Sequence, residues 1–181
     1  LVLLIVIWGI NQYLKNELTE LSNHFYETRS KINDSSLSEE ERMSQGILAL
    51  KKFSDSESLS QLSVIAIMES GKIFAKQSKF DESILEFKKV LQHPEASNVF
   101  KNIARLSLSS IYEQKKEWDE ALIMLNSIES DSWNDLRWRS MARIAISKGQ
   151  LKKAKKLLEQ LLEKFPESLY RGEAETLLLS L

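Results

Sequence analysis

The sequence predicts an all-α fold of repeated helical hairpins, led by an apolar N-terminal helix with the character of a membrane anchor. Three observations carry that expectation. Only two prolines and five glycines interrupt 181 residues, and no stretch alternates apolar and polar residues as a half-buried strand would. The segments KFDESILEFKKV, EWDEALIMLNSI and QLKKAKKLLEQL, beginning at residues 79, 117 and 150, repeat one arrangement of apolar and small residues. The chain opens on LVLLIVIWGI and carries no charge before Lys15.

That opening run of ten residues is shorter than the roughly 20 that a membrane-spanning helix needs and falls in the range of a signal-peptide core. Residue 1 is Leu, so the run is read as the exit half of a span whose first part lies upstream. Trp8 and Tyr13 sit where amphipathic aromatics mark a bilayer boundary, and Asn11 and Gln12 begin the exit. No small-x-small cleavage site follows, which favours a retained anchor over a cleaved signal. The competing reading is an apolar helix start buried against the domain. The flanking charges that would set orientation are not in the sequence.

Residues 12–32 read as a helix continuing out of the apolar start, with Leu14, Leu18, Leu21, Phe25 and Ile32 near helical spacing. NDSSLSEEER then breaks it and supplies an N-cap at Ser38, with acidic residues behind it that suit a helix N-terminus. The next helix is expected to reach about Phe53, followed by SDSESLS as a loop. In each repeated segment a large apolar residue is followed by a small one and two further apolar ones at spacings of 3, 4 and 3: Phe80, Ser83, Phe87, Val90; Trp118, Ala121, Leu125, Ile128; Leu151, Ala154, Leu158, Leu161. These lie on one helical stripe whose small member admits a close neighbour. Nine residues before each small residue, Phe74, Tyr112 and Ala145 mark the end of a preceding helix, which carries Gly71, Ser109 and Ala142 three residues earlier. Each unit is therefore a hairpin packed through small residues, with periods of 38 and then 33 residues. Pro94 in HPEASN ends a helix and accounts for the longer first interval.

These features resemble tetratricopeptide repeats, whose period is about 34 residues. The third unit is the best copy, with Trp138, Ala142, the Lys148 to Gln150 turn, Ala154 and Pro166. Ser83 stands in place of the usual Ala in the first unit, and Arg105 in place of a large apolar residue in the second. A narrower resemblance covers nearly the whole chain. The order of anchor, the long helix bearing NHFYETRSKI, a polar hairpin and NIARLSLSSIYEQKKEWDEALIMLNSI is similar to the YfgM-type tetratricopeptide proteins of bacterial inner membranes. That resemblance implies an ancillary subunit of the Sec translocon with its repeats in the periplasm. The expected division is then 1–14 as the C-terminal part of the anchor, 15–60 as a long helix and degenerate first hairpin, 61–167 as three repeats, and 168–181 as a capping helix.

Composition argues against most chemistry. Twenty-five basic against 26 acidic residues leave a net charge of −1, unsuited to phosphate-driven nucleic-acid binding. The absence of cysteine removes disulfides, a thiol nucleophile and cysteine-ligated metal. The two histidines, His24 and His93, lie far apart in the repeat layout and read as surface or capping residues, and the five glycines are too scattered for a phosphate loop. SEEER is explained by helix electrostatics rather than by a metal, and KKAKK at 152–156 by a solvated helix face. The expectation is no enzyme, no cofactor, no metal and no small-molecule substrate.

A binding surface remains. In tetratricopeptide arrays the first helix of each hairpin lines a groove, and the resemblance transfers that role to Ile65, Met68 and Lys72; Ile103, Leu106 and Ser110; and Leu136, Arg139 and Arg143. The favoured partner contacts are Met68, Lys72, Leu106, Ser110, Arg139 and Arg143, a mixture that suits an extended peptide with apolar and acidic groups. For the aliphatic members ordinary interhelix packing is an equal alternative. Arg139 and Arg143 share a helix face and need an anion between them, either a partner carboxylate or a Glu of this chain. Trp133 is a further possible contact, and SLYRGEAETLLLSL reads as the closing helix with a leucine-rich surface. The expected function is a membrane-anchored periplasmic protein-binding module that assists Sec-translocated proteins, with translocon subunits, a periplasmic folding factor or unfolded client peptides as partners. The alternative is an envelope-assembly scaffold that never contacts translocating chains.

Overall fold

A computed structural model describes residues 2–181, with side chains from Ile10 onward. Among the described residues every regular element is helical: α1 Val2–Ser30, α2 Glu39–Ser56, α3 Gln61–Lys76, α4 Phe80–Gln92, α5 Asn98–Gln114, α6 Trp118–Asn126, α7 Asn134–Ser147, α8 Leu151–Lys164 and α9 Arg171–Leu179, with single 3-10 turns at Lys31–Asn33 and Asp131–Trp133. The chain divides into two compact units, residues 1–97 and 98–181.

In the first unit α1 continues without a break from the apolar opening and ends at Ser30, so Ile32 lies in the 3-10 turn rather than in the helix. No helix of the described residues is long and apolar enough to cross a membrane. The apolar run of α1 is by itself too short for a span, since Lys15, Glu17 and Glu20 follow it closely. The side chain of Trp8, read as a bilayer-boundary aromatic, falls outside the described ones. Helix α2 starts at a capping box: the Ser38 side chain accepts from the Glu41 N–H, and the Glu41 carboxylate accepts from the Ser38 N–H. It then runs to Ser56, past the expected end, so Ser54 to Ser56 belong to the helix and the loop shrinks to residues 57–60. Leu21, Phe25 and Ile32 pack on Leu50, Phe53 and Ala66. Gly46 permits this approach, since a Cβ there would lie 2.6 Å from the Ile32 side chain.

The hairpins follow the repeat register. Phe80, Trp118 and Leu151 are the first residues of α4, α6 and α8. Two residues earlier, Ser78, Lys116 and Gly149 adopt φ of 58°, 61° and 70°, the left-handed conformation that ends a helix. Each turn closes with the same bonds: Lys79, Glu117 and Gln150 donate their N–H groups to the carbonyls of Phe74, Tyr112 and Ala145 at 2.9, 2.8 and 2.8 Å. Only the third turn uses the glycine that this conformation favours. Across each hairpin the small residues meet. Ser83, Ala121 and Ala154 have no exposed surface, and Ser109 and Ala142 opposite them are buried. In the first hairpin the Ser83 hydroxyl donates to the Gly71 carbonyl at 2.7 Å, and a Cβ on Gly71 would meet the Phe87 ring at 3.1 Å. Serine thus replaces alanine there by satisfying its hydroxyl on a backbone exposed by glycine.

In the second unit α9 closes the array by covering Ala142, Leu158 and Leu161 with Ala174, Leu177 and Leu178. Leu151 departs from its expected buried role at 46% exposure. It stands at the mouth of the hairpin, where even the larger Phe80 and Trp118 are only half-buried.

Candidate protein-binding faces

Helix α3 packs against α2 on one side and α4 on the other. Two neighbours claim most of its circumference and bury Val64, Ile67, Met68, Gly71 and Phe74. Met68, expected in a groove, is only 5% exposed and serves as core. The strip outside those two interfaces is Ile65, Glu69, Lys72 and Lys76, at helical spacing, with Ile65 and Glu69 half-buried, the lysines exposed, and Lys76 paired with Glu39 of α2 at 2.6 Å. Lys72 borders a cleft of about 190 Å³ lined also by Arg29, Ile32, Asn33, Glu69 and Ile73. Arg29 Nε lies 3.1 Å from Glu69 Oε1, so one cation of the cleft is neutralised. Lys72 has no ion-pair partner among the described residues. Arg29, Ile32 and Glu69 were not anticipated from the sequence. Glu69 is legible afterwards as the helical neighbour of Ile65 and Lys72, whereas Arg29 and Ile32 are brought by the fold.

In the second unit Leu106 is half-buried and Ser110 exposed, and Glu113 continues their stripe along α5. Arg143 of α7 donates to Glu113 through Nε and a terminal nitrogen, both at 3.1 Å. Arg139 donates to Glu173 of α9 at 2.6 Å, and Arg143 lies 3.8 Å from the other oxygen of Glu173. The Arg139 guanidinium also stacks 4.4 Å from the Tyr170 ring centroid. The anion required between the two arginines is thus a Glu of this chain. The guanidiniums brace α7 to α5 and α9 and are half-buried rather than offered freely. Trp133 is half-buried in its 3-10 turn.

Several other polar residues have structural employment. His24 Nδ1 lies 3.3 Å from Glu57, and His93 caps its own loop, accepting from the Glu95 N–H at 3.2 Å while its Nε2 meets the Ser63 hydroxyl at 2.9 Å. Glu86, 3% exposed, is held by Lys89 at 3.0 Å and Lys51 at 3.6 Å, and Lys51 lies 5.3 Å from the Phe74 ring centroid. Hydrogen bonding to Lys148 holds the Asp119 carboxyl below the usual carboxylate range, and Lys76 does the same to Glu39. No group of three metal-ligating side chains occurs among the described residues.

The family model described as a tetratricopeptide repeat-like domain matches residues 1–168. No curated protein matches the chain. Among solved structures, a tetratricopeptide repeat protein from Parabacteroides merdae superposes with a TM-score of 0.67 at 16% identity, covering 86% of this chain and 59% of that one. This chain therefore spans little more than half of that relative's length. A MamA RS-1 double mutant superposes at a TM-score of 0.60 with 14% identity, covering 80% of this chain and 77% of its own, and a MamA crystal structure at 0.56 with 17% identity, covering 76% and 85%. At these identities the likeness establishes the fold alone.

Proposed function

Because the chain belongs to the tetratricopeptide repeat-like family, a class of protein-interaction modules, we propose that it works by holding an extended peptide segment against the free strips of its first helices. The observation that carries this reading is the strip of α3, where the uncompensated Lys72 stands at the edge of an apolar cleft floored by Ile32 and Ile73. A cleft of about 190 Å³ is smaller than the roughly 300 Å³ at which small-molecule sites begin, and suits one apolar side chain of a peptide whose carboxylate meets Lys72. Ser110 and Leu106 offer a second, polar-apolar strip on α5. The proposed setting is the periplasmic face of a bacterial inner membrane, beside the Sec translocon, with the apolar opening run as the attachment to lipid. Its support is the uncharged run before Lys15 and the similarity of segment order to the YfgM-type proteins.

Photo-crosslinkers placed at Lys72 and Ser110 in native membranes test this reading. Adducts with translocon subunits, a periplasmic folding factor or translocating chains are expected. Adducts confined to envelope-assembly proteins would favour the scaffold instead, and none at either position would remove both strips from the binding surface. Alkaline carbonate tests the attachment: retention in the membrane pellet is expected, and release without detergent would overturn it.

A further inference from the structure

From Asn11 to Glu20 every residue of α1 is exposed, so among the described residues this part of the helix has no packing partner on any face. Isolated helices of that length are marginal in water, because few bonds repay the cost of nucleation. The exposed part nevertheless carries a pattern. Leu4, Ile7, Asn11, Leu14, Leu18, Leu21, Phe25, Thr28 and Ile32 follow one another at alternating spacings of three and four, an unbroken heptad seam. The structure divides that seam in two. From Leu21 onward it is the interface already described, with Leu21, Phe25 and Ile32 packed on the core of the first unit and Thr28 buried. From Asn11 to Leu18 the same stripe is open, with Leu14 48% and Leu18 63% exposed.

We propose that the open half of this seam pairs, in parallel and in register, with the same stripe of a second copy of this chain. The surface is continuous with an interface that α2 occupies further down, so the second copy's helix takes the place that α2 vacates. The polar residue of the stripe selects the occupant. Asn11 holds a core position of the heptad, where lipid or an apolar groove would leave its amide unsatisfied. Opposite itself, as in a parallel in-register pair, the amide finds a donor and an acceptor, and such an Asn fixes both register and two-strandedness. An antiparallel pair centred on Leu14 and Leu18 would instead set Asn11 against Leu21, which is already committed to its own core. The flanks are compatible, because in the parallel pair Glu17 faces Ser22 and Lys15 lays its aliphatic stem along Ile10, with no like charges opposed. The two helices diverge at Leu21, where each is claimed by its own hairpin. This inference does not depend on what the repeats bind.

The chain contains no cysteine, so single cysteines report pairing directly. Asn11→Cys and Leu18→Cys, each in the full chain in its native membrane or detergent, should form disulfide-linked dimers on mild oxidation. Tyr13→Cys and Asn16→Cys, on the outward faces, should do so at least tenfold more slowly. Equal crosslinking at all four positions, or none at residues 11 and 18, overturns the proposal. So does a disulfide that forms only when Leu14→Cys and Leu18→Cys chains are mixed, since that reports an antiparallel pair. Sedimentation equilibrium of the wild type should give twice the chain mass, and Leu14→Glu with Leu18→Glu should halve it while leaving the melting temperature of the repeats unchanged. A monomeric wild type overturns the proposal independently.

Discussion

Reversing both arginines of α7, as Arg139→Glu with Arg143→Glu, should unfold the second unit more readily rather than merely weaken a binding surface. In the native arrangement Glu113, Arg143, Glu173 and Arg139 alternate in charge, with contacts of 3.1, 3.8 and 2.6 Å. A unit pair at 4 Å is worth about 4 kcal/mol at an effective dielectric of 20. These side chains are between 19% and 38% exposed, so solvent screening reduces each pair to roughly 1–2 kcal/mol. The double reversal removes those attractions and gathers four carboxylates on one face, for a total of roughly 3–5 kcal/mol. At about 2–4 °C per kcal/mol for a chain of this size, the melting temperature should fall by roughly 6–20 °C. Thermal denaturation followed by circular dichroism measures it. Adding Glu113→Arg and Glu173→Arg restores the alternation with inverted signs and should recover at least half of the loss. If the double reversal melts like the wild type and loses only partner capture in a pull-down, then the arginines act on a partner and the bracing described above is incidental.

Three other outcomes follow from the repeat geometry and its charges. Ala154→Leu forces a branched side chain between α7 and α8 where no surface is exposed, and should cost roughly 1–3 kcal/mol by thermal melting, whereas Lys153→Leu on the exposed face should change stability by less than about 0.5 kcal/mol. Lys116→Gly relieves a left-handed residue worth roughly 1–2 kcal/mol of strain against an added chain entropy of about 0.4–1 kcal/mol. A small gain is expected there, while Gly149→Ala, at φ 70°, should lose about 1 kcal/mol. Acid should weaken both units: hydrogen bonds from Ser38 depress the Glu41 carboxyl, and those from Lys76 and Lys148 depress Glu39 and Asp119. Depressed carboxylates stabilise the fold fully above their unfolded values of 4.5 for Glu and 3.8 for Asp, and lose that contribution as pH falls through the lower folded values. Melting temperature should therefore be flat in this respect above about pH 5 and decline below it, and Ser38→Ala should flatten the part of the decline that Glu41 contributes.

The hairpins were legible in the sequence because they are local. A small residue, a large one three positions before it and a helix end nine positions before it are constraints within one hairpin, set by helical periodicity and by which side chains admit a close neighbour. The Ser38 cap is local in the same sense, since Ser38 and Glu41 serve each other across three residues. The candidate faces were only half legible. The tetratricopeptide resemblance placed Lys72, Ser110 and the two arginines on the groove side of the first helices, but exposure depends on what packs beside a helix. Met68 passed into the core because α3 is flanked by both α2 and α4. The arginines were identified as a pair needing an anion, yet their partners Glu113 and Glu173 stand 30 and 34 residues away from Arg143 and Arg139, on other helices. Long side chains reach across such distances in sequence only after the backbone has brought the helices together. Periodicity therefore determined the elements and their turns, and tertiary contact alone decided which charges were consumed inside the fold and which, like Lys72, were left exposed.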